Sequence, residues 1–146
     1  MVFASNRALV GGDAALSNFN LWLVSANGSS VTPLTRVTAP NAASGNAAWS
    51  PDGSKLVFAS AQALDGSDAA STNSTFNIWV MNADGSAATP LTRLTSGVNN
   101  GLPRWSPDGS KIIFVSSRAL DGTDATNTNS TLNLWIMNAD GSAPLP

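Results

Sequence analysis

The acidic side chains of this 146-residue chain are the first candidates for chemistry, and all nine are aspartates. Two pairs follow the pattern D-G-x-D: Asp65 with Asp68, and Asp121 with Asp124. Carboxylates are ligands that Ca²⁺ accepts together with Asn side chains and carbonyls, although the spacing is not that of an EF-hand loop. Aspartate also orders long loops by accepting bonds from its own backbone. We therefore predict no dedicated metal site, and weak calcium binding at these four aspartates at most.

The chain lacks residue types that the common catalytic sites require. The chain contains no His, Cys or Tyr, and no Glu. A Ser-His-Asp triad needs histidine as its base, and zinc prefers His and Cys ligands. The remaining aspartates of the repeated motifs lie in short turns, where Asp caps its own backbone; they are Asp52, Asp84, Asp108 and Asp140. The sequence thus predicts a protein that is not an enzyme and uses no cofactor.

Charge and hydropathy exclude two further classes. The net charge of −2 gives no electrostatic footprint for nucleic acid or an anionic membrane. The longest strongly apolar run is residues 78–81, far short of the roughly 20 residues that a spanning helix needs. Residues 1–7 have no basic region leading into an apolar stretch and so do not form a signal peptide. We expect no nucleic-acid partner and no membrane insertion.

The elements that position these residues follow from a repeat of about 56 residues. The heptapeptide WSPDGSK at 49–55 returns at 105–111, and IWVMNADGS at 78–86 returns as LWIMNADGS at 134–142. A more divergent copy runs from Val2 to Arg36. The chain therefore holds between two and three units.

Each unit is predicted to be a four-stranded antiparallel sheet. The sequence S-P-D-G at 106–109 places Pro and Gly where a tight hairpin needs them. Residues 102–105 and 111–116 flank it as strands, residues 133–137 form the third strand, and residues 90–95 form the fourth in the middle unit. The second and third strands are apolar at successive positions, so both faces of the sheet are expected to be covered. Sheets that stack face to face around an axis are the blades of a β-propeller.

The motifs W-S-P-D-G-S-K, I-W-V-M-N-A-D-G-S and P-L-T-R-L-T resemble the blade motif of TolB-type, WD-repeat-like propellers over essentially the whole chain. The resemblance implies an all-β scaffold that docks proteins or small ligands, often in the bacterial cell envelope, and hence a periplasmic or extracellular location. Blades of this kind also form the gating domain of prolyl-oligopeptidase-like serine peptidases.

Aromatic and basic residues recur at fixed positions of the repeat. Trp22, Trp79 and Trp135 share one position in the third strand, and Trp49 and Trp105 share one at the end of the first strand. For both positions we predict packing between blades with a hydrogen-bonded indole N–H rather than ligand stacking. Arg7 and Arg118 share another, with Gln62 between them. For this position we favour loop anchoring or contacts between blades over anion binding.

Alternating hairpins place the long loops between second and third strands at one end of the blades. This long-loop face comprises residues 63–75 and 119–131 and the linkers 39–47 and 96–101, and it is the predicted functional face because binding residues concentrate on loops held by a rigid scaffold. Its candidate contact residues are Asp65, Asp68, Asn73, Asp121, Asp124 and Asn129. We expect a binding module for a protein or small molecule; the alternatives are the gating domain of a hydrolase whose catalytic domain lies elsewhere, and a structural repeat of a surface array.

The strand count predicts an incomplete propeller of about two and a half blades. Residues 1–45 form a blade without its first strand, 46–99 a complete blade, and 100–146 a blade without its fourth strand. Propellers close with about four to eight blades, so blade faces stay open in a single chain. A piece of a longer gene product with flanking blades is the leading interpretation, and a homo-oligomer that completes the ring is the alternative.

Overall fold

The computed structural model describes residues 1–9, 15–127 and 131–146. Within these ranges the chain forms ten β-strands and one 3-10 turn, and it contains no α-helix. The strands are β1 (Val2–Arg7), β2 (Ala15–Val24), β3 (Val31–Pro33), β4 (Ser44–Trp49), β5 (Lys55–Ser60), β6 (Asn77–Asn82), β7 (Thr89–Pro90), β8 (Asn100–Trp105), β9 (Lys111–Ser116) and β10 (Asn133–Asn138).

The strands form three antiparallel sheets. The first sheet has the order β1-β2-β3, the middle sheet β4-β5-β6-β7, and the third sheet β8-β9-β10. An isolated bridge between Ile136 and Leu145 begins a fourth strand beside β10. The all-β, incomplete-propeller architecture is thus confirmed, and the middle sheet starts at Ser44, slightly before residue 46.

One aromatic pair marks the same place in every sheet. Phe3 lies opposite Trp22, Phe58 opposite Trp79, and Phe114 opposite Trp135 across the second and third strands of each unit. Because side chains on opposed residues point to the same face of a sheet, each unit presents one aromatic face. The sequence repeat therefore gives each of the three sheets an equivalent aromatic face.

The S-P-D-G turns adopt the predicted tight hairpin. The N–H of Gly53 donates to the carbonyl of Ser50 at 2.9 Å, and the Ser50 hydroxyl accepts from the N–H of Lys55 at 2.9 Å. Asp52 accepts from the N–H of Ser54 at 3.0 Å. The same three bonds recur around Asp108 in the third sheet.

The fourth strand is much shorter than predicted. In the middle sheet β7 covers Thr89–Pro90 rather than residues 90–95. Beyond it, the amide of the buried Asn77 replaces the ladder: its oxygen accepts from the N–H of Leu94 at 2.9 Å, and its NH₂ donates to the carbonyl of Leu94 at 3.0 Å. The hydroxyl of Thr92 also donates to Asn77. Asn20 makes the equivalent bonds with Thr35 and Val37 in the first sheet.

Two apolar clusters fill the spaces between neighbouring sheets. Leu21 of the first sheet packs with Phe58 and Trp79 of the middle sheet, and Val57 and Ile78 of the middle sheet pack with the third. The middle sheet is therefore covered on both faces, and every residue from Leu56 to Ser60 in β5 is buried. Strand β9 instead alternates between buried and half-buried positions, because only one of its faces has a neighbouring sheet.

Candidate ligand-binding face

The long loops and the preceding linkers lie at the same end of the sheets, as predicted. Asp68, in the loop between β5 and β6, contacts the linker that leaves the first sheet; its carboxylate accepts from the N–H groups of Thr38 at 2.7 Å and Ala39 at 2.9 Å, and from the Thr38 hydroxyl. Asp124 repeats this arrangement one unit later, with Thr95 and Ser96 as donors. We call each arrangement an aspartate latch.

The latches hold both carboxylates in their charged form. The Thr38 hydroxyl and the neighbouring main-chain N–H groups lower the pKa of Asp68 below its usual value. Partial burial raises the pKa of Asp124, but hydrogen bonds from Ser96 and Thr95 outweigh this effect and leave the pKa lowered. Each latch therefore fastens a long loop to the preceding unit with an ionised acceptor, which makes stronger hydrogen bonds than a neutral one.

Asp65 and Asp121 act within their own loops. Asp65 accepts from the N–H of Ser67 at 2.9 Å, and Asp121 accepts from the N–H of Thr123 at 2.9 Å. These bonds are the Asx-type turns expected of aspartate in a loop. The two members of each D-G-x-D pair thus have different partners, one local and one in the preceding unit.

The shared Gln62/Arg118 position anchors the long loops, which confirms the loop-anchoring interpretation for these two residues. The Gln62 amide donates to the carbonyl of Gly66 at 2.8 Å. The Arg118 guanidinium donates to the carbonyl of Thr123 at 3.1 Å and also to that of Gly122. Arg118 and Arg7 additionally lie over the rings of Trp135 and Trp22, at 5.1 Å and 4.9 Å from the ring centroids.

The amide of Asn73 donates to the carbonyl of Thr95 at 3.0 Å, which ties its loop to the following linker. Asn129 lies outside the described residues. In the part of the chain that the structure describes, no three metal-ligating side chains form a group able to hold an ion. The predicted contact residues that the structure describes lie on one face, where they are engaged in holding the loops.

Solvent reaches the tips of both loops. Residues 65–68 of the first loop and residues 123–126 of the second are exposed. With four ionised carboxylates and many hydroxyl and amide groups, this surface can accept and donate hydrogen bonds from a fixed geometry.

A concave region, which the sequence did not reveal, lies at the opposite end of the sheets. A cleft of about 440 Å³ opens between the S-P-D-G turns of the middle and third sheets. Its lining includes Asp52, Lys55, Trp105, Asp108 and Asp140. Hydrogen bonds led by the Ser50 and Ser106 hydroxyls lower the pKa of Asp52 and of Asp108 to about 2 each. The repeat motif indicated the turns, but not that two of them enclose a cleft.

The recurring tryptophans of the third strands are buried, as predicted. Trp79 and Trp135 are each 1% exposed and lie between neighbouring sheets. The prediction of a hydrogen-bonded indole holds only for Trp22, whose N–H donates to the carbonyl of Ser5 at 3.3 Å. The indole N–H groups of Trp79, Trp105 and Trp135 find no acceptor among the described residues. That part of the prediction is wrong for these three rings.

Three stacked antiparallel sheets with one repeated aromatic face define this chain as a set of β-propeller blades. Comparison with solved structures gives the type: the TolB structure from Agrobacterium tumefaciens superposes with a TM-score of 0.62 at 22% identity, over 86% of this chain and 39% of that one. The chain has the TolB-type propeller fold. A looser match is oligogalacturonate lyase in complex with manganese, with a TM-score of 0.46 at 18% identity, over 86% of this chain and 41% of that one.

Among curated proteins, the uncharacterized peptidase YuxL of Bacillus subtilis (strain 168) is 27% identical over 111 residues. The match covers 76% of this chain but 14% of YuxL, so the chain spans a small part of that relative and under half of the TolB structure. No family model matches the sequence. None of the described residues belongs to a helix long and apolar enough to cross a membrane.

Proposed function

We propose that this chain is a non-enzymatic, TolB-like propeller module that docks a protein or small ligand on the long-loop face, in the periplasm or outside the cell. The observation that carries the proposal is the pair of aspartate latches. Each latch fixes an exposed polar loop to the linker that leaves the preceding sheet, and binding sites are typically built from loops that a scaffold holds in place.

The electrostatics of the carboxylates argue against general acid-base catalysis. A catalytic acid or base works best when its pKa lies near the operating pH. The shifted aspartates of this chain instead have pKa values below the usual range, because hydroxyl and N–H donors stabilise their charged form. Such groups are weak bases and stay ionised at neutral pH, which suits them to hold loops and contact a partner.

The absence of cysteine from the sequence allows a clean test of the docking face. Ala69→Cys and Ala125→Cys place one thiol at the same repeat position of each long loop, and Ala26→Cys places one in the exposed turn at the opposite end. Each variant is coupled to a short photo-crosslinker and irradiated with an extract of the source cells. We expect both loop variants to crosslink the same partner and the Ala26→Cys variant to crosslink none. Crosslinks confined to Ala26→Cys would move docking to the other end.

The non-enzymatic part of the proposal has its own test. We expect no turnover of chromogenic peptide or ester substrates by the purified chain. Turnover that copurifies with the chain and is lost in Asp52→Asn or Asp108→Asn, the two most acidic carboxylates of the cleft, would refute it.

A second candidate function is supported by the likeness to YuxL, whose name is that of a peptidase. In this reading the propeller gates the entrance of a hydrolase domain carried by the same gene product. The coding sequence around this segment tests it: a Gly-x-Ser-x-Gly elbow followed by Asp and His would favour the gating function. Flanking sequence made only of further blade motifs would oppose it.

A further inference from the structure

We propose that Asn27 is a site of spontaneous covalent modification, at which the side-chain amide is converted to a carboxylate. The conversion passes through a cyclic imide that Asn27 forms with the main-chain nitrogen of Gly28, its neighbour in the sequence. The inference concerns the turn between β2 and β3 and does not depend on the proposed binding function.

The chain contains two Asn-Gly sequences, and the structure places them in opposite environments. Asn27 and Gly28 lie in the turn between β2 and β3, where both residues are exposed. The N–H of Gly28 donates to the carbonyl of Ser25 at 3.0 Å and closes this turn. Asn100 and Gly101 instead begin strand β8, and Asn100 is 3% exposed. The same reactive pair is therefore accessible at one position and enclosed at the other.

The reaction of an Asn-Gly pair is intramolecular and needs only water as a co-reactant. The Gly28 nitrogen loses its proton and attacks Cγ of Asn27, so that a new C–N bond forms. The Cγ–Nδ2 bond then breaks, and the NH₂ group leaves with that proton as ammonia. Water opens the cyclic imide, either at Cγ to give an ordinary aspartate or at the main-chain carbonyl to give an isoaspartate. Glycine favours the attack because no side chain shields its nitrogen.

Hydrogen bonds at the turn activate the Asn27 side chain for this attack. Its Oδ1 accepts from the hydroxyl of Ser25 at 2.9 Å, and from the N–H and the hydroxyl of Ser29 at 3.1 Å and 2.7 Å. These donors stabilise the negative charge that develops on Oδ1 when the nitrogen adds to Cγ. Among the described residues, all bonds of this side chain go to the oxygen, so none holds the NH₂ group that must leave.

The other units show that the turn accepts the product. Asp84 and Asp140 occupy the repeat position of Asn27. Asp84 accepts from the N–H of Ser86 at 2.9 Å, and Asp140 from that of Ser142 at 2.9 Å. Hydrogen bonds from these serines lower the pKa of both carboxyl groups, so the turn stabilises the charged form. Both aspartates are exposed although their turns lie close to the preceding sheet, which makes exposure a property of the turn itself.

The strand opposes the same reaction at Asn100. Its NH₂ group, which would have to leave, donates to the carbonyl of Phe76 at 2.7 Å. Asn100 lies opposite Ser116, and Gly101 opposite Val115, in the pairing of β8 with β9. The side chain can turn towards the Gly101 nitrogen only after this part of the strand has opened. We therefore expect the folded chain to protect Asn100.

Peptide mapping of the aged protein tests the proposal. The purified chain is incubated at mildly alkaline pH, where the Gly28 nitrogen loses its proton more readily, and is then digested with trypsin. The two Asn-Gly pairs fall in separate peptides, residues 8–36 and 94–104. We expect the mass gain of an amide-to-acid change at Asn27, at a rate at least about tenfold above that at Asn100. Isoelectric focusing should show a new band that migrates with Asn27→Asp, which carries one more negative charge than the net −2 of the unmodified chain.

The chain unfolded in guanidinium chloride is the matched control. Both asparagines should then be converted at similar rates, because both Asn-Gly pairs are equally accessible. In the folded Asn27→Gln variant the same peptide should stay unmodified at this position, since glutamine would have to form a larger ring. A folded wild-type chain in which Asn27 stays intact, while the unfolded chain is converted, would overturn the proposal by showing that the turn protects the amide. Equal rates at Asn27 and Asn100 in the folded chain would overturn it as well.

Discussion

The carboxylate of Asp124 accepts hydrogen bonds from the N–H of Thr95 at 2.8 Å and from its hydroxyl at 2.9 Å, across 29 positions of sequence. This contact joins a long loop of the third unit to the linker that precedes it. Asp124→Ala should therefore release both segments. We expect amide exchange at Thr95 and Ser96 to become about five- to tenfold faster, as loss of about 1 kcal/mol of local stability gives.

The control for this experiment is Asp121→Ala in the same loop. Among the described residues, Asp121 accepts only from Thr123 within its own turn, so its removal should leave exchange at Thr95 unchanged. Equal effects of both variants would mean that the loop opens as one unit and that the latch has no separate role.

Calcium should add little to the stability of the chain. Ion binding at Asp65 and Asp68, or at Asp121 and Asp124, would have to replace the hydrogen bonds that these carboxylates already accept. We expect calorimetric titration to show weak heat at most, with the melting temperature hardly raised by millimolar Ca²⁺. A saturable heat that disappears in Asp121→Asn with Asp124→Asn would establish a calcium site instead.

Substitution by alanine should lower the stability of the chain by different amounts at two equivalent glycines. Gly28 and Gly141 occupy the same turn position, with φ of 72° and 86°. A Cβ at Gly28 meets nothing within 4 Å, whereas at Gly141 it would lie 2.8 Å from the carbonyl oxygen of Leu91 in the preceding sheet. Gly28→Ala should cost about 1–2 kcal/mol for the left-handed backbone alone. Gly141→Ala should cost about 1–3 kcal/mol more from the clash, measured by urea unfolding.

Gly85 supplies a repeat of that test, because its Cβ would lie 2.9 Å from the carbonyl oxygen of Leu34. Its alanine variant should therefore resemble that of Gly141. Equal costs for all three variants would show that the turns of the second and third units do not press on the preceding sheet in solution.

At the shared Gln62/Arg118 position, each residue can be replaced by the one that its counterpart carries. Both side chains anchor a long loop, but only Arg118 also stacks on a tryptophan, at 5.1 Å from the ring centroid of Trp135. Arg118→Gln should lower the free energy of unfolding by about 0.5–1 kcal/mol, the usual worth of such a stack, while keeping the loop anchored. Gln62→Arg should gain a similar amount over Trp79. Thermal melts of both variants test this assignment. A melting temperature that moves in the same direction for both variants would contradict it.

The strand positions could be predicted because the motifs that mark them recur in each copy of the repeat. The hairpin at 106–109 and the flanking strands follow from local turn chemistry and from apolar runs, which are properties of neighbouring residues. The fourth strand was predicted too long, since Pro90 to Thr95 has strand-like composition. Its ladder is replaced by the side chain of Asn77, a long-range contact that composition does not reveal. The joint recurrence of Asn20 with Thr35 and of Asn77 with Thr92 was the available signal.

The roles of the loop carboxylates could not be predicted either, because they too depend on contacts between residues far apart in the sequence. Asp65 and Asp68 belong to one motif, yet one closes its own turn and the other reaches a linker 29–30 positions away. Nothing in a D-G-x-D pattern separates the two roles, because the partner comes from another unit. The cleft between successive S-P-D-G turns escaped prediction likewise, since its shape depends on how two sheets stack.

Acid should destabilise the chain over a defined interval. Hydrogen bonds from the Ser50 hydroxyl and from Ser54 lower the pKa of Asp52 from 3.8 to about 2, and Ser106 and Ser110 do the same for Asp108. Because the folded pKa lies below the unfolded value of about 3.9, these carboxylates bind fewer protons in the folded chain. Their stabilising contribution is therefore complete above about pH 4 and is lost as the pH falls through about 2.

We expect the melting temperature to be nearly constant from pH 7 to 5 and to fall steeply between pH 4 and 2. Asp52→Asn with Asp108→Asn should show a shallower fall, because the amides do not titrate, and the remaining slope comes from the other aspartates with lowered pKa. Ser50→Ala with Ser106→Ala removes the largest cause of each shift, so both carboxyl groups should titrate closer to 3.8 in a carbon-detected NMR titration. A wild-type Asp52 that already titrates near 3.8 would show that these turn hydrogen bonds do not persist in solution.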